Sequence, residues 1–199
     1  MDQESWGFWA VFSQDHFRVE ETMLTDSGST WLVQGTPTGL VDNLPRNEEL
    51  PSVFRYTGHV WGRVYGDRSG GQDETNRVVG QMNASYGSRD HYGPGADDVL
   101  NVFLSDMWQE LPDGGRDYLP GMWFSGDVGT NRTDPDYDPL QDTATFTLVP
   151  DQFETSPGQE RGTATGSFYG PNGEAVAATF WYLRDGYRIQ GVFGGKLGE

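Results

Sequence analysis

The chain has 199 residues, with 30 acidic and 13 basic side chains, so its formal charge at neutral pH is −17. A nucleic-acid-binding surface is therefore excluded as the first hypothesis, because contact with phosphates requires clustered Lys and Arg. The absence of cysteine excludes disulfides, thiolate zinc sites and cysteine nucleophiles.

The composition still predicts a folded domain. The chain carries seven Trp, nine Tyr and eleven Phe, and each aromatic side chain buries roughly 150–250 Å². No window reaches the roughly 18 consecutive apolar residues of a membrane span. Residues 1–4 (MDQE) lack the basic and apolar start of a signal peptide. We therefore expect that export would depend on a signal or lipid anchor that this chain does not contain.

Apolar and polar residues alternate along most of the chain, which is the period of a β-strand. In residues 54–65, Val60 and Val64 fall on one face, while Trp61 and Arg63 fall on the other. No stretch of 12 residues combines a helical period with a cap. The pattern predicts an all-β protein with about ten strands, at residues 6–12, 30–35, 54–65, 78–86, 100–104, 122–128, 144–148, 164–168, 176–182 and 189–193.

Turn and glycine positions favour antiparallel hairpins and strong curvature. Asp185-Gly186 separates two predicted strands and is a tight-turn signal, because glycine accepts the positive φ that such a turn needs. Glycines on the apolar faces of strands permit the sharp bends of a small closed barrel; the alternative is ordinary bulges in a sandwich. These glycines are Gly58, Gly62, Gly80, Gly166 and Gly191.

The segment at residues 162–197, GTATGSFYGPNGEAVAATFWYLRDGYRIQGVFGGKL, resembles the closing strands of the β-barrel domain of the transferrin-binding protein B family. It departs from the family pattern at Gly173, Ala175 and Ala177-Ala178. Upstream, VQGTPT and YTGHVWG are similar to segments of single-barrel relatives. The residues that fit the pattern are Gly166, Phe168, Tyr169, Gly170, Pro171, Asn172, Phe180, Gly191, Val192, Phe193 and Gly194.

The resemblance implies an eight-stranded antiparallel up-and-down β-barrel with a small N-terminal accessory β subregion. Residues 1–50, where the alternation is weaker, are predicted to be the accessory strands packed on the barrel, and residues 51–199 the barrel domain. The resemblance also implies a bacterial protein, surface-exposed or secreted, that binds host proteins or haem rather than catalysing a reaction. The ligand does not transfer, because partner recognition in this family lies in variable loops.

Outward aromatic and arginine side chains are the main functional prediction. If Val60 and Phe180 point inward, their neighbours Trp61 and Trp181 point outward. Exposed Trp, Tyr and Arg are the residue types enriched at interface hot spots. The alternative is that the N-terminal subregion covers them. The predicted partner-binding residues are Arg55, Trp61, Arg63, Tyr65 and Trp181, together with Trp108 and Trp123, which flank the loop DGGRDYLPG.

Two weaker candidates concern cofactors. His91 lies beside Tyr92 in a Gly-rich segment, where an axial haem ligand could project. A cluster of aspartates offers the several oxygens that calcium requires, although Pro139 and Thr145 occupy positions where an EF-hand has its glycine and its bidentate glutamate. The alternative is a solvated acidic loop. The cluster consists of Asp134, Asp136, Asp138 and Asp142.

The sequence as a whole favours a non-enzymatic binding protein that needs no cofactor and holds a protein partner through loops and an outward aromatic and arginine patch. No G-x-S-x-G elbow or phosphate-binding glycine loop is present. Two alternatives remain open. One is a structural or decoration module of an envelope or phage particle, and the other is a small-ligand protein that captures haem. The sequence gives no indication of the oligomeric state.

Overall fold

The computed structural model describes residues 7–14, 16–24, 28–45, 53–65, 76–87, 98–111, 113–129, 138, 140–150, 160–184 and 186–198. Within these ranges the helical structure is limited to a 3-10 turn at Val41–Asn43, and no helix there is long and apolar enough to cross a membrane. Residue 6, the start of the first predicted strand, lies outside them. The strands are β1 (Gly7–Gln14), β2 (Phe17–Leu24), β3 (Gly28–Gly35), β4 (Val53–Tyr65), β5 (Asn76–Gly87), β6 (Val99–Glu110), β7 (Arg116–Tyr118), β8 (Met122–Asp127), β9 (Thr145–Pro150), β10 (Arg161–Tyr169), β11 (Ala175–Arg184) and β12 (Tyr187–Leu197).

Eight of these strands close into an antiparallel barrel. Their order around the barrel is β5, β4, β12, β11, β10, β9, β8 and β6, and β6 pairs back with β5. Every strand follows its neighbour in the chain, apart from the short β7, which pairs with β6, and the seam where β12 meets β4. The predicted eight-stranded up-and-down barrel is therefore confirmed.

The alternation in the sequence decides which side chains fill the barrel. In β4, Tyr56, Val60 and Val64 are buried, as is Gly62, while the other residues between Tyr56 and Val64 are exposed or half-buried. Gly186 has φ +85° and completes the hairpin turn between β11 and β12. The lumen is filled by apolar and aromatic side chains, with Phe168 against three other rings at centroid distances of 5.3 to 5.8 Å.

Glycine permits the tight curvature at the seam between β4 and β12. Gly58 lies opposite Gly195, and Gly62 lies opposite Gly191. A Cβ added at Gly58 would overlap the carbonyl oxygen of Gly194. The seam can therefore close only because these positions have no side chain.

A β-bulge changes the phase of β6. Leu104 points into the barrel, but Asp106 adopts φ 47° and the register with β5 shifts beside Gly80. Asp tolerates this left-handed region better than most residues. After the bulge the buried positions become Met107 and Gln109.

The three-stranded sheet β1-β2-β3 packs on the outside of the barrel. Phe17 and Val19 of β2 are buried against Val192 of β12 and Ala177 of β11. The Phe17 ring lies 5.5 Å from that of Tyr169. Since β3 contacts β11 and β12, the sheet covers one side of the barrel, and β6 and β8 lie three or four strands away on the opposite side.

The chain that follows β3 fixes this sheet to one end of β10. The amide of Thr38 donates to the carbonyl of Phe168 at 2.9 Å, and the amide of Gly170 donates to the carbonyl of Thr36 at 2.9 Å. Glu174, in the adjoining β10–β11 turn, accepts from the amide and the side chain of Asn172 at 2.9 Å each. The two backbone hydrogen bonds of Thr36 and Thr38 hold one end of the sheet close to the barrel wall.

Candidate functional site

The interior of the barrel is packed for stability. Tyr56 donates its hydroxyl to the carbonyl of Gly173 at 2.8 Å. Burial, with a smaller contribution from the Glu174 carboxylate, raises the pKa of Tyr56 above its usual value. Burial is also the largest cause of the raised pKa of Tyr182, followed by the nearby Glu160 carboxylate. The described lumen is filled by buried apolar and aromatic side chains, so a binding site is to be sought on the outer surface.

Strands β6 and β8 present a stacked aromatic pair on that surface. Phe103 and Trp123 are register partners, and their rings stack with centroids 4.1 Å apart at an interplanar angle of 18°. Trp123 is 50% exposed. Half of a large indole is therefore held in contact with solvent by a rigid strand pair, a geometry suited to contact with another molecule.

A second aromatic group lies further along β6. Trp108 is the register partner of Tyr118 on β7, and the guanidinium of Arg116 lies 3.9 Å from the Trp108 ring centroid. Tyr118 is 71% exposed. Trp108 faces outward because of the bulge at Asp106, since strict alternation from Leu104 would have turned it into the barrel.

We call the residues of these two aromatic groups together the β6–β8 aromatic surface. The sequence predicted two of its members, Trp108 and Trp123, because they flank the loop at residues 113–121. It missed the others, although Phe103 occupies a polar-face position between Val102 and Leu104, a signal that was available. The surface consists of Phe103, Trp108, Arg116, Tyr118 and Trp123.

The predicted residues on β4 and β11 lie on the outer face but in a different environment. Trp61 packs against the cluster that joins the accessory sheet to the barrel, and Trp181 is half-buried. Arg55 is exposed, whereas Arg63 and Tyr65 are half-buried. The structure therefore separates the predicted patch into residues near the accessory sheet and residues on the opposite side of the barrel.

A cleft of about 250 Å³ lies where the accessory sheet diverges from the barrel. We call it the seam cleft. Arg188 lies beside it, with its guanidinium 5.6 Å from the Trp181 ring centroid. The lining residues are Trp31, Thr163, Thr165, Thr179, Trp181 and Gln190, with parts of Phe180 and Gly191.

The cofactor candidates fall mostly outside the described residues: His91, Tyr92, Asp134 and Asp136 all lie there. Asp138 accepts hydrogen bonds from the Leu140 amide at 2.9 Å and the Gln141 side chain at 2.7 Å. Asp142 is 4% exposed, and its backbone carbonyl accepts from the Val41 amide at 3.0 Å. In the described ranges no three His, Asp or Glu side chains are grouped to hold a metal ion. The haem and calcium sites therefore stay predictions.

No protein-family model matches this chain, and no curated protein matches it. Among solved structures, a variant of transferrin binding protein B from Haemophilus parasuis Hp5 matches with a TM-score of 0.54 at 17% identity, covering 92% of this chain and 33% of that chain. An intact transferrin binding protein B with N and C lobes matches with a TM-score of 0.54 at 14% identity, covering 98% and 38%. The chain has a transferrin-binding-protein-B-like β-barrel fold. It spans about a third of the length of those proteins.

A third matching structure is closer to this chain in length. It is described as a surface lipoprotein and matches with a TM-score of 0.50 at 13% identity, covering 98% of this chain and 81% of that chain. One barrel with its accessory strands thus accounts for most of that protein. The transferrin-binding-protein-B-like resemblance read from residues 162–197 is confirmed at the level of the fold.

Proposed function

We propose that this protein is a non-enzymatic binding protein, exposed on a cell surface or secreted, that holds a protein partner through the β6–β8 aromatic surface. The observation that carries the proposal is the half-exposed Trp123 stacked on Phe103, on the side of the barrel opposite the accessory sheet. Trp, Tyr and Arg are enriched among the residues that dominate interface energies. The surface joins these residue types on paired strands.

The rigidity of this surface favours binding. A stacked indole on paired β-strands loses little conformational freedom when a partner contacts it, and association is stronger when less ordering is needed. The cation over Trp108 adds a second anchor, because an Arg above an indole is attracted by the ring's electrons. Tyr118, which is 71% exposed, adds an apolar ring with a hydroxyl that can donate.

The fold comparisons support the class of function and the location. Two of the matching structures are named as transferrin binding proteins, and a third is named as a surface lipoprotein. A barrel whose described lumen is filled by apolar and aromatic side chains agrees with binding on the outer surface. A protein such as transferrin is the first partner to test.

The test compares retention of proteins by the immobilised chain and its variants. Purified transferrin and fractionated serum are passed over the wild type, the double variant Tyr118→Ala/Trp123→Ala, and the control Leu140→Ala. Leu140 is 79% exposed but lies outside the aromatic surface. We expect a defined protein to be retained by the wild type and the control and released at least about tenfold faster from the double variant. Equal retention by the double variant, or no retained protein, would contradict the proposal.

A further inference from the structure

Strand β3 lies on the other side of the barrel from the β6–β8 aromatic surface. In the described part of the chain β3 pairs with β2 alone, in the order β1-β2-β3. Trp31 and Val33 pack toward the barrel, whereas Leu32 is 47% exposed. The outer edge of a sheet presents backbone N–H and C=O groups that can pair with another extended chain. β3 is therefore a template for strand addition.

The seam cleft lies beside this edge. Trp31 reaches it from β3, and Trp181 and Thr179 reach it from β11. A strand added to β3 would lie about 4.8 Å from it, over β10, whose outward Thr163 and Thr165 form part of the cleft. Alternate side chains of an added strand point to one face, so one of them would enter the cleft.

Trp31, which lines the seam cleft, carries a donor that the described residues leave unsatisfied. Its indole N–H is buried and has no acceptor among the described residues. A buried donor without an acceptor costs about 1–3 kcal/mol. An incoming segment that shifts the indole and brings a carbonyl to its N–H would recover this cost.

The charges next to the cleft determine the chemistry of the segment. The strand register places outward side chains in two adjacent rows across β4, β12, β11 and β10, and these rows contain three of the 13 basic residues of the chain and no acid. The first row is Tyr65, Arg188, Leu183 and Arg161, and the second is Arg63, Gln190, Trp181 and Thr163.

Arg161 and Arg188 are both exposed. When the Gln190 amide is oriented with its oxygen toward Arg188, this oxygen accepts from Arg188 Nε at 3.1 Å. The contact holds the guanidinium beside Trp181. In a chain with a net charge of −17, a local group of arginines attracts acidic partners selectively, because acidic segments are repelled elsewhere on the surface.

We infer that the seam cleft and the edge of β3 bind an extended acidic peptide segment. The segment adds a strand to β3, places one apolar or aromatic side chain between Trp31 and Trp181, and directs its carboxylates at Arg161 and Arg188. This site is distinct from the β6–β8 aromatic surface, so the loss of either leaves the other intact.

The test measures fluorescence anisotropy of a labelled nonapeptide in which Glu and Val alternate around a central Phe. Two further peptides serve as comparisons: one with every Glu replaced by Gln, and one with two adjacent central prolines, which remove backbone donors on both edges of the peptide. At about 20 mM salt, where charges are weakly screened, we expect the acidic peptide to bind at least about tenfold more tightly than either. Equal binding of the Gln peptide or the proline peptide, or no binding of the acidic peptide, would overturn the inference.

Variants of the protein locate the site. Arg161→Glu/Arg188→Glu is expected to weaken binding of the acidic peptide at least about tenfold, and Trp181→Ala several-fold. The control Lys196→Glu changes an exposed basic residue of β12 that lies eight positions from Arg188, toward the other end of the strand, and should leave the affinity within about twofold. An unchanged affinity in the double variant, or an equal loss in the control, would overturn the inference.

Discussion

The seam between β4 and β12 makes a direct prediction about Gly58. A Cβ at this position would overlap the carbonyl oxygen of Gly194, and it would lie 2.5 Å from Gly195 Cα and 2.8 Å from Gly194 C. All three atoms belong to the backbone, so no side chain can rotate away. Carbon atoms pack at about 3.5–4.0 Å, so Gly58→Ala requires the two strands to separate by about 1 Å.

The energetic cost follows from that displacement. A separation of about 1 Å is about a fifth of the usual spacing between paired strands and takes the nearest N–H···O contacts beyond hydrogen-bonding distance. Overpacking costs about 1–3 kcal/mol, and each lost hydrogen bond about 1 kcal/mol. The reduced freedom of the unfolded chain offsets about 0.4–1 kcal/mol. We therefore expect Gly58→Ala to lower the free energy of unfolding by about 2–4 kcal/mol.

Equilibrium unfolding in urea, followed by tryptophan fluorescence, measures this change. Gly198→Ala is the matched control, because its added Cβ would lie 3.6 Å from the Arg55 carbonyl oxygen, an ordinary contact. We expect the control to stay within about 0.5 kcal/mol of the wild type. If Gly58→Ala and Gly198→Ala had the same stability, the argument that bare backbone is required at the seam would be refuted.

Four further outcomes are expected. Tyr56→Phe leaves the buried Gly173 carbonyl without its donor and should lower the free energy of unfolding by about 1–3 kcal/mol in urea. Because the pKa of Tyr56 is raised from 10.0, the wild type should lose stability as pH rises above that value, and Tyr56→Phe should lose less. For Glu174, burial is the largest single influence and raises the pKa. Hydrogen bonds from Asn172 and from the amide of Glu174, together with His16, outweigh burial and lower the pKa below 4.5. The stability difference between the wild type and Glu174→Gln should therefore shrink as pH falls below 4.5. Trp123→Ala should cost about 2–4 kcal/mol of stability, because the aromatic pair contributes about 0.5–1.5 kcal/mol beyond area burial and the buried half of the indole contributes about 2–3 kcal/mol; a cost well above this range would show that the indole has a wider structural role.

Strand periodicity predicted most of the barrel, because a strand with one buried face alternates apolar and polar residues. The sequence pattern identified the inward set of β4 and the turn at Gly186. It missed β2, where FRVEETML places charged residues on both faces, and the three-residue β7, which is too short to show a period. The bulge at Asp106 was also missed, because the position with positive φ is not occupied by glycine, the usual sequence signal for it.

The candidate site was less predictable for a different reason. Trp61 and Trp123 have the same sequence signature, a large aromatic on the polar face of a strand. Trp61 packs against the accessory sheet, and Trp123 is half-exposed. Local patterning determines that a side chain leaves the barrel, but the long-range docking of β1–β3 determines whether it is then covered.

The docking of the accessory sheet also explains why the two proposed surfaces differ in chemistry. A closed barrel uses its inward face for the core and its backbone hydrogen bonds for closure, so only the outer wall and the ends remain for binding. The sheet covers the side formed by β11 and β12, and there the edge of β3 and the seam cleft offer access, which favours an extended segment guided by charge. On the opposite side, β6 and β8 offer rigid aromatic rings without a described cover, which favours a folded protein surface. Removal of the sheet would therefore change the first surface and leave the second intact, because the stacked pair of Phe103 and Trp123 is built from barrel strands alone.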